Sequence, residues 1–169
     1  MRLLISINFD DTAKDNLIEV MDNLKKCSRK GVFVARNQLR LDLILLTETQ
    51  DICSIQKKIE EIDFKPFNIK FTRIDRSRRD GGDIYWAVAE PSSELYSIYS
   101  SLRATADEIG SEYDKKEFKP RVQLGTRVIA RPNFKVSEFD AQINDITVSE
   151  YIIADNGKET LKKLFVKNL

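Results

Sequence analysis

The chain has 169 residues, 41% of them hydrophobic and 33% charged, with Lys+Arg 28 against Asp+Glu 27. This size and composition fit a single soluble globular domain over residues 1–169, and the near-zero net charge means that any nucleic-acid surface must be a local patch. The absence of histidine removes the commonest general acid–base and the commonest metal ligand.

Residues 2–9 alternate, Leu3, Ile5, Ile7 and Phe9 on one side and Leu4, Ser6 and Asn8 on the other, and read as a strand. Asp10 or Asp11 caps a helix whose apolar face, Leu17, Ile18, Met21 and Leu24, runs to about residue 27. Gly31 to Ala35 is β-rich, and a second strand covers about 39–46. Asp51 opens another amphipathic helix with Ile52, Ile55, Ile59 and Ile62 on one stripe. Residues 67–74 and 83–89 form strands joined by Asp80-Gly81-Gly82, a hairpin whose glycines permit positive φ. Ser92 or Ser93 caps a helix carrying Leu95, Ile98, Leu102, Ala106 and Ile109, which Gly110 ends. A polar loop over 111–120 leads to a strand over 121–130, and 131–141 reads as irregular. Residues 146–154 and 160–166 form a last hairpin around Asn156-Gly157. The expected class is α+β, two pseudo-symmetric lobes, each an antiparallel sheet with helices on its outer side, facing a central cleft.

Two of these strands carry the chemistry. Leu39-Arg40-Leu41-Asp42-Leu43 and Arg121-Val122-Gln123-Leu124 each set two polar side chains two residues apart in an apolar run. Period two puts Arg40 and Asp42 on one face, and Arg121 and Gln123 likewise. Such pairs are costly inside a protein unless they line a cleft or satisfy each other, so the economical reading is one cleft lined by both.

The element order and four segments resemble the two-histidine phosphoesterase superfamily, in its branch of RNA 2′,3′-cyclic phosphodiesterases, also called 2′-5′ RNA ligases. Arg2-Leu3-Leu4-Ile5-Ser6-Ile7 is similar to the opening strand of that branch, and Asn37-Gln38-Leu39-Arg40-Leu41-Asp42-Leu43 to its Glu-Asn-Leu-His-x-Thr-Leu. Gly81-Gly82-Asp83-Ile84-Tyr85-Trp86-Ala87 resembles its Gly-Gly-x-x-Trp hairpin, and Phe118-Lys119-Pro120-Arg121-Val122-Gln123-Leu124 its Phe-Lys-Pro-His-x-Thr-Leu. The resemblance implies a site at the two His-x-Thr positions, where one histidine acts as base, the other as acid, and the threonines hold phosphate. Here those positions read Arg40-Leu41-Asp42 and Arg121-Val122-Gln123. Arginine stays protonated, with a pKa above about 12, and glutamine does not titrate, so no acid–base pair remains.

The resemblance therefore implies a catalytically inactive relative. Guanidinium is well suited to bidentate phosphate contact, and Arg40, Arg121 and Gln123 are its candidate phosphate- or RNA-binding residues, with Arg127 near the arginine that follows the second family motif. The expected partner is RNA or a nucleotide bearing a terminal or cyclic phosphate. The alternative at the same positions is a closed bridge in which Asp42 pairs with Arg40 or Arg121. An active cyclic phosphodiesterase or RNA ligase using other residues, or a protein-interaction scaffold, stays open as well.

The remaining features read as structural. Arg73, Arg76, Arg78 and Arg79 precede the Gly pair as a solvated hairpin tip rather than an RNA track. Tyr85, Trp86, Tyr113 and Phe118 are aromatic candidates for base stacking, but Trp86 lies in a strand pattern that favours the core. Lys158, Lys162, Lys163 and Lys167 read as a protected edge. Cys27 and Cys53 lack metal or redox spacing and fit free thiols of a reducing cytoplasm. No metal or cofactor, no membrane span and no signal-peptide cleavage site is expected, and the chain is expected to act as a monomer.

Overall fold

The computed structural model describes residues 1–169. Along the chain it forms β1 (Leu3–Asn8), α1 (Asp11–Lys26), β2 (Ser28–Phe33), a short 3₁₀ turn (Arg36–Gln38), β3 (Arg40–Glu48), α2 (Ile52–Glu60), β4 (Phe67–Ser77) and β5 (Asp83–Ala89). There follow α3 (Ser93–Glu108), β6 (Glu112–Tyr113), β7 (Arg121–Ala130), β8 (Phe139–Ile143), β9 (Asp145–Ile153) and β10 (Glu159–Asn168). No helix is long and apolar enough to cross a membrane.

The strands make two five-stranded sheets, in the orders β10-β9-β1-β3-β6 and β2-β7-β5-β4-β8. Every pairing is antiparallel. α2 and α3 pack on the first sheet and α1 on the second, so the α+β class with helices on the outer sides holds. A core cluster of 35 buried residues lies between helices and sheets and draws on both lobes.

Each helix begins where a side chain satisfies an orphan N–H. The carboxylate of Asp10 accepts from the Ala13 N–H at 2.8 Å, that of Asp51 from Ser54 at 3.1 Å, and the Ser92 hydroxyl from Leu95 at 3.2 Å. Their apolar stripes supply Leu17, Met21 and Leu24, Ile55 and Ile59, and Leu95, Ile98 and Leu102 to the core. Ile62, expected on the α2 stripe, lies two residues past the helix end and packs partly buried against the same core.

Two regions differ from expectation. The segment 131–141, read as irregular, runs into β8, which pairs with β4 through Ile69↔Ala141 and Phe71↔Phe139. Its alternation is real, with Ala141 and Ile143 buried and Asp140 and Gln142 exposed, but five residues are stable as a strand only against a long-range partner. The loop at 111–120 likewise contains β6, two residues held on the edge of β3.

The β4–β5 turn fixes one lobe against itself. Gly82 has φ +131°, and a Cβ there would meet the Arg127 backbone carbonyl carbon at 2.5 Å. Arg127 is itself the one non-glycine residue with positive φ, 52°, at an irregularity where β7 passes from Gly125 to Val128 against β5. Gly81 also has positive φ but open space around its Cα. Gly82→Ala is therefore expected to cost about 2–3 kcal/mol, from backbone strain plus a clash with main chain that has no rotamer to yield, lowering Tm by roughly 5–10 °C. Gly81→Ala should cost about 1 kcal/mol. Thermal unfolding followed by circular dichroism separates the two, and equal shifts would refute the close-approach account.

Candidate functional site

The inner faces of the two sheets do not pack on each other. They enclose an open cleft of about 910 Å³, and β3 and β7, which carry the two polar pairs, approach at its seam. Because a strand alternates, the residues between core positions face this cleft. On the first sheet the register pairs Ser6 with Asp42 and Asn8 with Arg40. On the second it pairs Trp86 with Gln123 and Val88 with Arg121. Arg40, Asp42, Arg121 and Gln123 all line the cleft, with Ser6 and Asn8 beside them. The Asn8 amide, on the cleft lining, donates to the buried Thr147 hydroxyl at 2.9 Å.

The two arginines differ in environment. Arg40 Nε donates to Asp42 Oδ1 at 2.8 Å, and a guanidinium N–H makes a long contact of 3.4 Å to the Gln38 carbonyl. Of the two bridges left open by the sequence, the structure forms Asp42–Arg40. Arg121 has no ion-pair partner. Its guanidinium carbon lies 3.8 Å from the Trp86 ring centroid, a cation–π contact that fixes the group without neutralising it. The indole is held in turn, with Nε1 donating to the Ser77 hydroxyl at 3.0 Å.

Walls on several sides partly desolvate these charges. Asp42 still exposes 52% of its side chain to the open cleft, yet the surrounding protein pushes its carboxyl above the usual value, with Glu159 adding to the rise and Arg40 opposing it. Burial pulls the Arg121 guanidinium below its usual value; Asp75 opposes this and Arg79 reinforces it. Tyr151, also in the cleft, is pushed up to about 12 by burial and by the adjacent Glu159 carboxylate.

Not every expected residue joins the cleft. Arg127 is exposed at its left-handed position on β7 and lies outside the lining. Tyr85 is buried in the core, whereas Trp86, expected there, lies on the cleft face, because the core side of β5 is Tyr85, Ala87 and Ala89. Tyr113 is nearly buried and outside the lining, whereas Phe118, stacked on Tyr99 with centroids 4.7 Å apart, is nearly buried but does line the cleft wall. Arg73 and Arg76 pair with Asp75 and Asp83 on the exposed hairpin at 3.5 and 3.7 Å, as a solvated tip should. Lys158, taken as edge protection, instead lines the cleft with Glu159. Sequence reading missed Tyr151 and Glu159, although Thr147-Val148-Ser149-Glu150-Tyr151 repeats the polar alternation of β3 and was the available signal. The cleft holds no cluster of three metal-ligating side chains, and neither does the rest of the chain.

No family model matches the chain. It is 22% identical over 158 residues to the RNA 2′,3′-cyclic phosphodiesterase of Archaeoglobus fulgidus, covering 92% of this chain and 88% of that protein. It superposes on TT0787 of Thermus thermophilus with a TM-score of 0.81 at 18% identity, covering 100% of this chain and 98% of that one. For apo LigT of E. coli the TM-score is 0.75 at 17% identity, with 99% and 96% coverage. LigT has also been solved with ATP, 3′-AMP, NADP+ and phosphate. The resemblance drawn from the four sequence segments therefore stands, and the fold is that of the two-histidine phosphoesterase superfamily.

The direction of the Asp42 shift gives a test with a definite sign. A carboxyl whose pKa is raised by folding disfavours the folded state above that pKa, and the penalty vanishes as pH falls below the unfolded value of about 3.9. Asp42→Asn should thus be slightly more stable than the wild type at pH 7, with the advantage disappearing toward about pH 4, although it breaks an ion pair. Thermal melts across that range decide it; a less stable variant at pH 7 would mean that the Arg40 bridge outweighs desolvation.

Proposed function

We propose that the cleft binds the phosphate of a nucleotide or RNA and lacks the acid–base turnover of the two-histidine enzymes. The observation that carries this reading is Arg121, a guanidinium at one motif position, held over Trp86 with no protein carboxylate paired to it. Guanidinium is rigid, always charged and suited to a phosphate oxygen pair. Gln123 beside it offers an amide N–H to the same ligand, in the place where the resemblance implies a threonine hydroxyl. Arg40, bridged to Asp42, is a weaker contributor, because a ligand must compete with a carboxylate already in contact with it.

The case against turnover is chemical. A general acid and base act near neutral pH by changing protonation, and neither arginine nor glutamine does so there. Asp42 can accept a proton, but Arg40 and Arg121 cannot exchange one with it. Each lost participant is worth about 10²–10⁴-fold in rate. LigT has been solved with ligands that are all phosphate-bearing or phosphate itself, which supports a phosphate ligand for a chain of this fold.

Titration with 2′,3′-cyclic AMP should show binding that Arg121→Ala weakens about 10–100-fold, the range expected for loss of charge-assisted hydrogen bonds, and that Arg40→Ala weakens less. The native chain should not hydrolyse this ligand measurably, whereas combined Arg40→His, Asp42→Thr, Arg121→His and Gln123→Thr substitutions should yield turnover. Native turnover would defeat the inactivity argument, and equal, negligible binding by wild type and Arg121→Ala would defeat the phosphate-site reading.

A further inference from the structure

Resting on the phosphate-binding reading of the cleft, we infer that the β2–β7 ribbon is a track for the backbone of a single-stranded RNA, leading from Arg121 in the cleft to Arg131 and the α1–β2 corner at the far end of the second sheet. Positive and negative side chains balance over the whole chain, Lys+Arg 28 against Asp+Glu 27, but they are unevenly spread. Residues 23–41 and 118–137 together hold eleven basic side chains and not one Asp or Glu. The fold lays these two acid-free stretches side by side. β2 pairs with β7 through Ser28↔Ala130, Lys30↔Ile129, Val32↔Thr126 and Phe33↔Gly125. The Val34 N–H donates to the Leu124 carbonyl at 2.9 Å, and the Arg131 N–H to the Cys27 carbonyl at 3.2 Å. At one end of the ribbon Val34, Lys119, Arg121 and Gln123 line the cleft.

Little of this charge is neutralised. Arg36 is held by Asp11 and Asp15, and Arg40 by Asp42. The other nine cations of the two stretches have no carboxylate within 4.0 Å. β2 is the outer strand of its sheet, so side chains from both of its faces reach solvent. Lys25, Lys26, Arg29, Lys30, Arg127 and Arg131 are all exposed. Lys25 lies 5.4 Å from the Phe33 ring centroid, a contact that orders the group and leaves its charge, as Trp86 does for Arg121. Elsewhere the signs are mixed. The β4–β5 hairpin interleaves its arginines with Asp75, Asp80 and Asp83, and the last hairpin sets Lys162 opposite Glu150.

The shape of the surplus selects the partner. β7 runs from Arg121 to Ala130, roughly 30 Å at the rise of a strand, so the cations form a line that starts at the proposed phosphate site. A polymer with one charge on every unit can follow that line, whereas a mononucleotide engages only its cleft end. Val32 is the one large hydrophobic side chain that the ribbon exposes, too little for the apolar core of a protein interface or for insertion into a membrane. Arg29, Arg121, Arg127 and Arg131 carry planar donor sets that suit phosphate oxygens. Contacts of this kind position a strand without reading its sequence.

The experiment follows the fluorescence anisotropy of a 5′-labelled ten-nucleotide RNA ending in a 2′,3′-cyclic phosphate over a salt series. It compares the wild type with the triple variant Arg29→Gln, Lys30→Gln, Arg131→Gln, and measures 2′,3′-cyclic AMP in parallel by calorimetry. The three side chains are exposed and make no ion pair, so the variant should melt with the wild type. At about 0.1 M salt the oligonucleotide should bind the wild type about tenfold or more tighter than cyclic AMP, with log affinity falling against log salt at a slope of about −3, the value for four or five phosphate contacts on a single strand. The triple variant should flatten that slope by about 2 and weaken the oligonucleotide about tenfold or more, while cyclic AMP binds both chains alike. If the oligonucleotide binds no tighter than cyclic AMP, or the variant keeps the wild-type slope, the track is refuted and the cleft reading stands. If cyclic AMP fails to bind while oligonucleotide binding depends on the three cations, the track holds and the cleft reading fails. Displacement of the RNA by poly-glutamate at equal charge concentration would overturn the assignment to RNA. Should the triple variant melt early, the three single variants take its place, each expected to flatten the slope by about 0.7.

Discussion

The architecture depends on the alternation of side chains along strands that serve two environments at once. One face of each sheet is covered by helices and must be apolar; the other borders water and must not be. β1 shows both demands in six residues, with Leu3, Ile5 and Ile7 in the core and Ser6 and Asn8 on the cleft floor. The same constraint projects Arg40 with Asp42, Arg121 with Gln123, and Ser149 with Tyr151 into the common space. A slip of one residue in any of these strands would send charges into the core and leucines into the cleft. The site is thus a consequence of register, and register is held by the apolar face.

Within that frame, replacing imidazole by guanidinium changes the kind of work the cleft can do. Imidazole exchanges protons at neutral pH; guanidinium holds one permanently. The protein then manages two fixed cations differently. Arg40 is neutralised locally by Asp42, at the cost of partly desolvating a carboxylate. Arg121 is braced by an aromatic face, which contributes attraction without cancelling charge. Two formally equivalent positions thus end in different environments, one cation paired with a carboxylate and the other stacked on an indole.

The parts of this arrangement legible in the sequence were those with short-range signals. The helices announced themselves by caps and by 3.6-residue stripes, and the polar pairs at Arg40 and Arg121 by alternation within apolar runs. β8 was hidden because its five residues depend on β4, some seventy positions earlier in the chain. Trp86 was misplaced because size and hydrophobicity argue for burial, whereas the phase of β5, set by Tyr85 and Ala87, decides its face. Lys158 looked like an ordinary edge charge and Glu159 carried no signal, since only the pairing of the last hairpin onto β1, as the edge of the first sheet, brings them to the cleft. Arg127 followed the second motif closely enough to suggest a role, but it sits exposed at the positive-φ irregularity of β7, outside the cleft lining.

The order in which the strands enter the two sheets has a further consequence. β1 and β3 belong to one sheet and β2 and β4 to the other, and later strands continue to switch between them. The polypeptide laces the lobes together, so neither can complete itself from a contiguous stretch of chain. Closing such loops requires entropy loss before most pairings form, which places folding in the slow, high-contact-order regime. It also makes the hollow between the lobes a woven space rather than a hinged one: wide excursions of one lobe from the other would have to drag several crossing segments, and a ligand meets walls whose separation is set when the chain folds.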